Sequence, residues 1–344
     1  MPGKPRFRLV IASDRYEFDW EESALSQIQD MDLELSGGAA ETEDDLISLA
    51  HHADALVISS REAITRRVLS NLANCKVISR RAVGLDHIDL DAAAELGIVI
   101  THSPDYCTNE VADHTLALIL GLNRRILEYD HDLRNGAWTN HQYMMDRILR
   151  GPIQPLREQI LGIVGLGRIG RAVGKRALAF GLTVLAADPF IPSRTAADAG
   201  AQLVALDDLL QTADIVSLHC PLTNETEGMI GTRELGLMKP SAVLVNTARG
   251  PVLDLDAAVD ALSSGTIAAA ALDVVYPEPL PLDSPLYRLP NVILTPHAAY
   301  YSERSRRQVR IDALEGALAV LRGRQPRTIA NPNVLERVAL LPPA

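Results

Sequence analysis

Cysteine is scarce in this 344-residue chain: Cys75, Cys107 and Cys220 lie far apart, are odd in number and form no Cys-x-x-Cys pair. That excludes a disulfide framework and a cysteine zinc site, and it suits a reducing cytoplasm. The histidines offer no replacement, because no His-Glu-x-x-His or comparable spacing occurs, and no metal is expected. Positive charge is also in deficit. With 33 Lys+Arg against 44 Asp+Glu the net charge is −11, which argues against nucleic acid as the main partner. Long apolar runs are missing too, since none nears the roughly 18 residues that a membrane span requires. The basic start (Lys4, Arg6, Arg8) leads only into Leu9-Val10-Ile11-Ala12, shorter than a secretory apolar core of about 7–15 residues, and reads as a buried first strand. Aromatics are only 4%, yet 47% hydrophobic and 22% charged residues describe a soluble globular chain rich in Ala, Leu and Val, not a disordered one. The length allows about two domains.

Short β-branched runs alternate with Ala/Leu-rich helical segments, the pattern of parallel sheets covered by helices. Strands are expected at 8–12, 55–59, 76–79 and 98–101, then at 160–164, 183–187, 215–218, 242–245, 268–272 and 292–294. Two α/β units emerge. Ala53-Asp54 before one strand and Ala213-Asp214 before another echo each other, either from duplicated ancestry or from common turn chemistry at a helix-to-strand junction. The segment 109–123 is apolar almost all round, which places it between domains or subunits. The polar stretch 135–155 reads as a loop, and a C-terminal helix is expected over about 302–322.

The strongest motif is Ile160-Leu-Gly-Ile-Val-Gly165-Leu166-Gly167-Arg168-Ile169-Gly170, a strand feeding directly into a helix. Gly165 allows the tight turn, Gly167 lets backbone approach a pyrophosphate, and Gly170 lets helix and strand pack closely. A second strand ends at Asp188, where an acid would meet the adenosine ribose, and no Arg stands closer than Arg194 to cradle a 2′-phosphate. NAD is therefore expected rather than NADP.

In open α/β sheets ligands lie beyond the carboxyl ends of strands. The residues there are His219-Cys220-Pro221, Asn246-Thr247-Ala248-Arg249, Asp273, Glu278 and Thr295-Pro296-His297. A lone His or Arg is more often structural, but these share one placement. They supply what hydride transfer to a 2-oxo acid needs. Arg249 can hold the substrate carboxylate with a planar fork, and His297 can deliver the proton as general acid. Glu278 against His297 orients the ring and favours its protonated form. His219 reads as cofactor-loop backbone, and Asp273 as a contact to the nicotinamide carboxamide, with a plain turn cap as the bland alternative.

These residues resemble the D-isomer-specific 2-hydroxyacid dehydrogenases, most closely the branch containing phosphoglycerate dehydrogenase and the C-terminal binding protein corepressors. The likeness covers about residues 50 to 330 and includes Arg80-Arg-Ala-Val83-Gly84-Leu-Asp-His-Ile-Asp, Glu110-Val-Ala-Asp-His, His219-Cys-Pro-Leu-Thr-Asn-Glu-Thr226, Val245-Asn-Thr-Ala-Arg249-Gly and Thr295-Pro-His297-Ala-Ala. It implies an Arg249, Glu278, His297 triad, with Val83 and Gly84 amides helping to hold the substrate carboxylate. It also implies cofactor contacts from Asp188, Cys220, Thr226, Thr247 and Asp273, beside the Gly165–Gly170 turn, Pro221 and Ala248. A homodimer through the nucleotide-binding domain follows as well. The fold it implies is two doubly wound parallel-sheet domains with a cleft between them. One is a discontinuous flavodoxin-like substrate domain (1–103 plus 298–344), and the other is an inserted Rossmann NAD domain (104–297).

Three departures bear on substrate. Tyr300 stands where the corepressor branch usually has Trp, narrowing and polarising that wall. Ala82 replaces a usual Gly, and Arg81 is an extra cation, either facing solvent or reading a second acidic group such as a phosphate, phosphonate or distal carboxylate. No regulatory domain follows residue 344, so serine feedback is not expected. The expected activity is NAD-dependent reduction of a 2-oxo acid. The rival is an NAD(H)-sensing binding protein like the corepressors, which keep the same triad. Phosphite or formate oxidation is a second rival, and the Glu278–His297 pair disfavours formate.

Overall fold

The computed structural model describes residues 6–13, 21, 24–25, 28–59, 61–138, 142 and 153–343. Most of the expected loop at 135–155 lies outside them. The chain divides into two compact units, Met1–Tyr106 with Glu303–Ala344, and Cys107–Ser302. No helix among the described residues is long and apolar enough to cross a membrane.

The smaller unit holds a five-stranded, all-parallel sheet of β1 (Arg6–Ala12), β2 (Asp32–Gly38), β3 (Ala55–Ile58), β4 (Val77–Arg80) and β5 (Val99–His102) in the order β2-β1-β3-β4-β5. This is the flavodoxin-like winding. Alternation divides each strand between two cores. Val10, Leu56, Ile58 and Ile78 pack with Leu46, Val68 and Ala92 on one face. Leu9, Ile11, Val57 and Val77 pack with Ala313, Leu314, Ala317 and Leu321 on the other. Those last four lie on the C-terminal helix Glu303–Leu321, so the end of the chain completes the unit begun at its start. Ser79 Oγ donates to the Ala313 carbonyl at 2.8 Å, fastening this helix to β4.

β2 was not expected. Its Asp-Leu-Glu-Leu-Ser-Gly-Gly carries little strand propensity, but it pairs with β1 along all seven residues, and Glu34 accepts from Arg6 and Arg8 across the pair. Pairing, not composition, makes it a strand.

The larger unit holds a seven-stranded parallel sheet. Its strands are β6 (Ile160–Val164), β7 (Thr183–Ala187), β8 (Gln202–Leu203), β9 (Ile215–Leu218), β10 (Val243–Asn246), β11 (Ala269–Leu272) and β12 (Val292–Leu294). The order β12-β11-β10-β9-β6-β7-β8 is the Rossmann winding extended by one strand, with its switch point between β6 and β9. β8, only two residues long, was also not expected.

The helix Thr108–Asn123 packs one face within the larger unit. It buries Val111, Ala112, Thr115, Leu116, Leu118 and Ile119 against its own unit's sheet and the helix Arg168–Ala179, while Asp113 and Ala117 are exposed. The sequence echo has a concrete counterpart. Asp54 and Asp214 each accept from an amide near the start of a sheet-founding strand (Arg8 N at 2.9 Å, Ile160 N at 2.8 Å) and donate their own amide back to that residue's carbonyl.

Candidate functional site

The Gly165–Gly170 turn leaves β6 at the switch point. Gly165 sits at φ +91°, and a Cβ there would lie 2.6 Å from the Cys220 amide, so only glycine fits where the two loops meet. A Cβ at Gly170 would lie 2.2 Å from the Gly165 carbonyl oxygen. Gly167 differs, since nothing lies within 4 Å of its Cβ position. Packing does not demand this glycine, and the open space beside its backbone is room that a phosphate would need. Gly167 also N-caps the helix Arg168–Ala179 without any side-chain cap bond, leaving the first-turn dipole available to an anion.

Asp188 follows the last residue of β7, beside this turn. One carboxylate oxygen accepts from Leu166 N at 2.8 Å and the other from Phe190 N at 2.9 Å. Each oxygen keeps a lone pair for a ribose hydroxyl, and the charge disfavours a 2′-phosphate. These residues fit a dinucleotide of the NAD type.

At the end of β9, the His219 amide donates to Val164 O at 2.7 Å and its ring Nε2 shares a 2.8 Å hydrogen bond with Ser217 Oγ. Burial drives the ring's pKa down to about 3, so it stays neutral and is unsuited to proton delivery. Burial likewise pushes the Cys220 thiol up to about 11. Thr226 closes the following loop, donating to Pro221 O at 2.7 Å and accepting from Thr223 N at 2.8 Å. Thr247 turns inward, its hydroxyl 2.9 Å from that of Thr115. Asn246 braces the turn before Arg249 by accepting from Ala248 N and donating to Arg249 O.

Glu278 and His297 are brought together, and the charge of Arg249 reaches Glu278. His297 Nδ1 donates to Glu278 Oε2 at 2.9 Å, while Glu278 Oε1 accepts from Val275 N at 3.1 Å. Burial opposes ionisation of Glu278. The His297 bond and charge, the Val275 amide and the charge of Arg249 outweigh it and hold the carboxyl below its usual range. With Nδ1 engaged, the Nε2 of His297 is the atom left for proton transfer. The Tyr300 ring meets His297 edge-on, with centroids 6.4 Å apart.

His297 occupies the left-handed backbone region at φ +54°, a strained placement for a residue other than glycine. Asp273, 2% exposed, holds it there. Its carbonyl accepts from His297 N at 2.8 Å, and its carboxylate takes Ala298 N at 2.9 Å, Ala299 N at 3.0 Å and Thr295 Oγ1 at 2.6 Å. His114 Nε2 donates to Thr295 Oγ1 at 3.1 Å from the helix Thr108–Asn123. The sequence reading placed Asn246 and Thr295 past strand ends and His114 in a family motif without giving them a role, and it missed Thr115.

In the smaller unit, the Val83–Gly84 loop follows β4. Arg81 N donates to Ile58 O at 2.9 Å, Ala82 O accepts from Ser103 N at 3.1 Å, and Val83 O accepts from His102 Nδ1 at 2.9 Å. These three bonds anchor the backbone of the loop at its start. The expectation that Arg81 faces solvent is corrected: its side chain is 16% exposed and donates to the buried Glu21. The reason lies 60 residues away in sequence, beyond the reach of local reading.

A family model described as "D-isomer specific 2-hydroxyacid dehydrogenase, NAD binding domain" matches residues 116–299. The chain is 40% identical over 296 residues to a glyoxylate reductase of Aeropyrum pernix, covering 85% of this chain and 87% of that protein. It is 37% identical over 316 residues to a D-3-phosphoglycerate dehydrogenase of Methanocaldococcus jannaschii, covering 91% of this chain but 58% of the other. Among solved structures it resembles the D-lactate dehydrogenase of Aquifex aeolicus complexed with NAD and lactic acid. There the TM-score is 0.79 and the identity 29%, over 98% of this chain and all of that one.

Proposed function

From the premise that the chain belongs to the D-isomer specific 2-hydroxyacid dehydrogenases, NAD-dependent oxidoreductases acting on CH–OH groups, we propose that it reduces a small 2-oxo acid of the glyoxylate class. Bound NADH supplies the hydride. Arg249 grips the substrate carboxylate through its planar fork, and the amides of Val83 and Gly84 receive it on the smaller unit. His297 Nε2 hands its proton to the carbonyl oxygen as the C2 carbon is reduced, and Glu278 holds the ring and stabilises its charge. Asp188, which fits a free ribose better than a phosphorylated one, supports NADH over NADPH.

The observation that carries this reading is the 2.9 Å Glu278–His297 bond on a backbone that Asp273 holds in a strained turn. Positioning of that quality is costly to maintain and points to proton transfer. The glyoxylate class is favoured over phosphoglycerate because the glyoxylate reductase relative aligns over nearly its whole length. We further read the protein as a cytoplasmic homodimer through its nucleotide unit. Ile126 and Leu127, each 53% exposed just beyond the helix Thr108–Asn123, support that reading, which the mass in solution tests.

The deciding experiment follows NADH consumption across glyoxylate, pyruvate, hydroxypyruvate and phosphorylated or dicarboxylic 2-oxo acids, beside His297→Ala. Turnover of the small acids with a loss of about 10²–10⁴ in the variant is expected. A loss of only a few-fold would remove His297 as the acid. Tight NADH binding without turnover of any oxo acid would support a sensor like the corepressors instead.

A further inference from the structure

The smaller unit carries a charge arrangement that the reaction chemistry does not use. Arg81, just past the end of β4, and Arg310, on the C-terminal helix, are 16% and 18% exposed at their side chains. Both end on one carboxylate. Glu21, 2% exposed, accepts from Arg81 Nη2 at 3.1 Å and from Arg310 Nε at 2.7 Å on Oε1, and from Arg310 Nη2 on Oε2. Arg81 Nε is buried and has no partner among the described residues. Glu62, also buried, is the second acid whose field reaches Arg81, and it is engaged with Ser59 Oγ at 2.8 and 3.0 Å.

Among the described residues, Glu21 and Glu62 set two carboxylates against the two guanidiniums, and removing Glu21 would leave positive charge in excess there. Without it, two nearly buried cations would face each other, and Arg81 would have both Nε and Nη2 to offer, the forked geometry that binds carboxylate or phosphate. The cluster lies close to the substrate's expected position. Arg81 stands two residues before Val83, so its Cα is within about 7 Å of that residue's.

We infer that Glu21 is a specificity-determining residue. From within the chain it occupies the place on Arg81 and Arg310 that a second acidic group of a substrate would take. The enzyme therefore accepts 2-oxo acids with one carboxylate and rejects those with an added carboxylate or phosphate. The inference rests on the proposal that the Val83–Gly84 loop receives the 2-oxo acid. A singly charged substrate leaves the Glu21 clamp undisturbed. A doubly charged one meets a filled site whose carboxylate repels it.

The test compares kcat/KM for oxaloacetate and phosphohydroxypyruvate with that for glyoxylate in the wild type, Glu21→Gln, Glu21→Asp and Glu21→Gln/Arg81→Met. The wild type should prefer glyoxylate; a preference for either dianion overturns the inference at once. In Glu21→Gln the dianion-to-glyoxylate ratio should rise at least tenfold, through KM rather than kcat. Glu21→Asp should keep the wild-type ratio within about threefold, and adding Arg81→Met should remove the gain. Parallel loss on all substrates, or an unchanged ratio, makes Glu21 a clamp for the fold alone. Should Glu21→Gln fail to fold, Glu21→Gln/Arg310→Gln restores the charge balance with Arg81 open, and the ratio must still rise. If neither the wild type nor any variant turns over an oxo acid, the reductase reading fails instead. Calorimetry with inorganic phosphate on the NADH-bound proteins then decides: Glu21→Gln should bind at least tenfold more tightly than the wild type, and equal affinity overturns the inference.

Discussion

The amide of His297 donates to the carbonyl of Asp273 at 2.8 Å, and the carboxylate of the same Asp273 takes the next two amides, those of Ala298 and Ala299. One buried acid thus holds three consecutive residues in the conformation that presents the imidazole. Asp273→Ala strands three donors, the amides of Ala298 and Ala299 and the Thr295 hydroxyl. A stability loss of about 1–3 kcal/mol is expected, with kcat falling at least tenfold as His297 leaves its strained turn. Urea unfolding beside steady-state kinetics checks both. Full activity in a folded Asp273→Ala protein would show that the turn needs no such support.

The Glu278–His297 pair sets an acid limit on turnover. Glu278 is held below its ordinary carboxylate range, so it is ionised and bound to His297 at neutral pH. As pH falls through that lowered value the carboxyl protonates, and its contribution to both activity and stability is lost. The kcat/KM profile should therefore show an acid limb below the usual carboxylate value of about 4.3. Glu278→Gln should be slower throughout and lack this limb; retention of the limb would assign it to another group.

His219 gives a separate signature in stability. The folded ring stays neutral down to about 3, while the unfolded ring takes up a proton near 6.5. Between those values the unfolded state binds more protons, so stability falls as pH falls, by up to about 1.4 kcal/mol per unit. His219→Gln should flatten the change in urea midpoint between pH 7 and pH 5. An identical slope in both proteins would mean that other groups govern it.

Asp188 should govern cofactor choice. Asp188→Ala frees the Leu166 and Phe190 amides and removes the charge that disfavours a 2′-phosphate. NADH should bind at least tenfold more weakly, with the NADPH-to-NADH ratio rising by about 10–100-fold, measured by fluorescence titration. A fall in affinity equal for both dinucleotides would leave the acid a purely structural part of the turn.

Much of the larger unit was legible in the sequence, because parallel strands covered on both faces are written as mainly apolar runs. β6, β7, β9 and β12 begin and end where those runs do. The edge strands β2 and β8 were not legible, since hydrogen bonds to a neighbour hold them and local composition says little. At the site, residues that carry charge past strand ends could be found one by one. Thr295, His114 and Asn246, which only brace other residues, have no such mark. The partner of Arg81 was unreadable for a plainer reason. Glu21 reaches it through tertiary structure alone.

The twin aspartates Asp54 and Asp214 separate two kinds of mutational tolerance along the strand axis. Each ties the amino end of its sheet's founding strand to the neighbouring strand, far from the carboxyl ends where the chemistry-bearing loops emerge. Anchored at one edge, a sheet can carry altered loops at the other without losing its register. Substrate range can therefore drift while the scaffold stays as it is, and damage to either aspartate would be felt as lost protein rather than as changed catalysis.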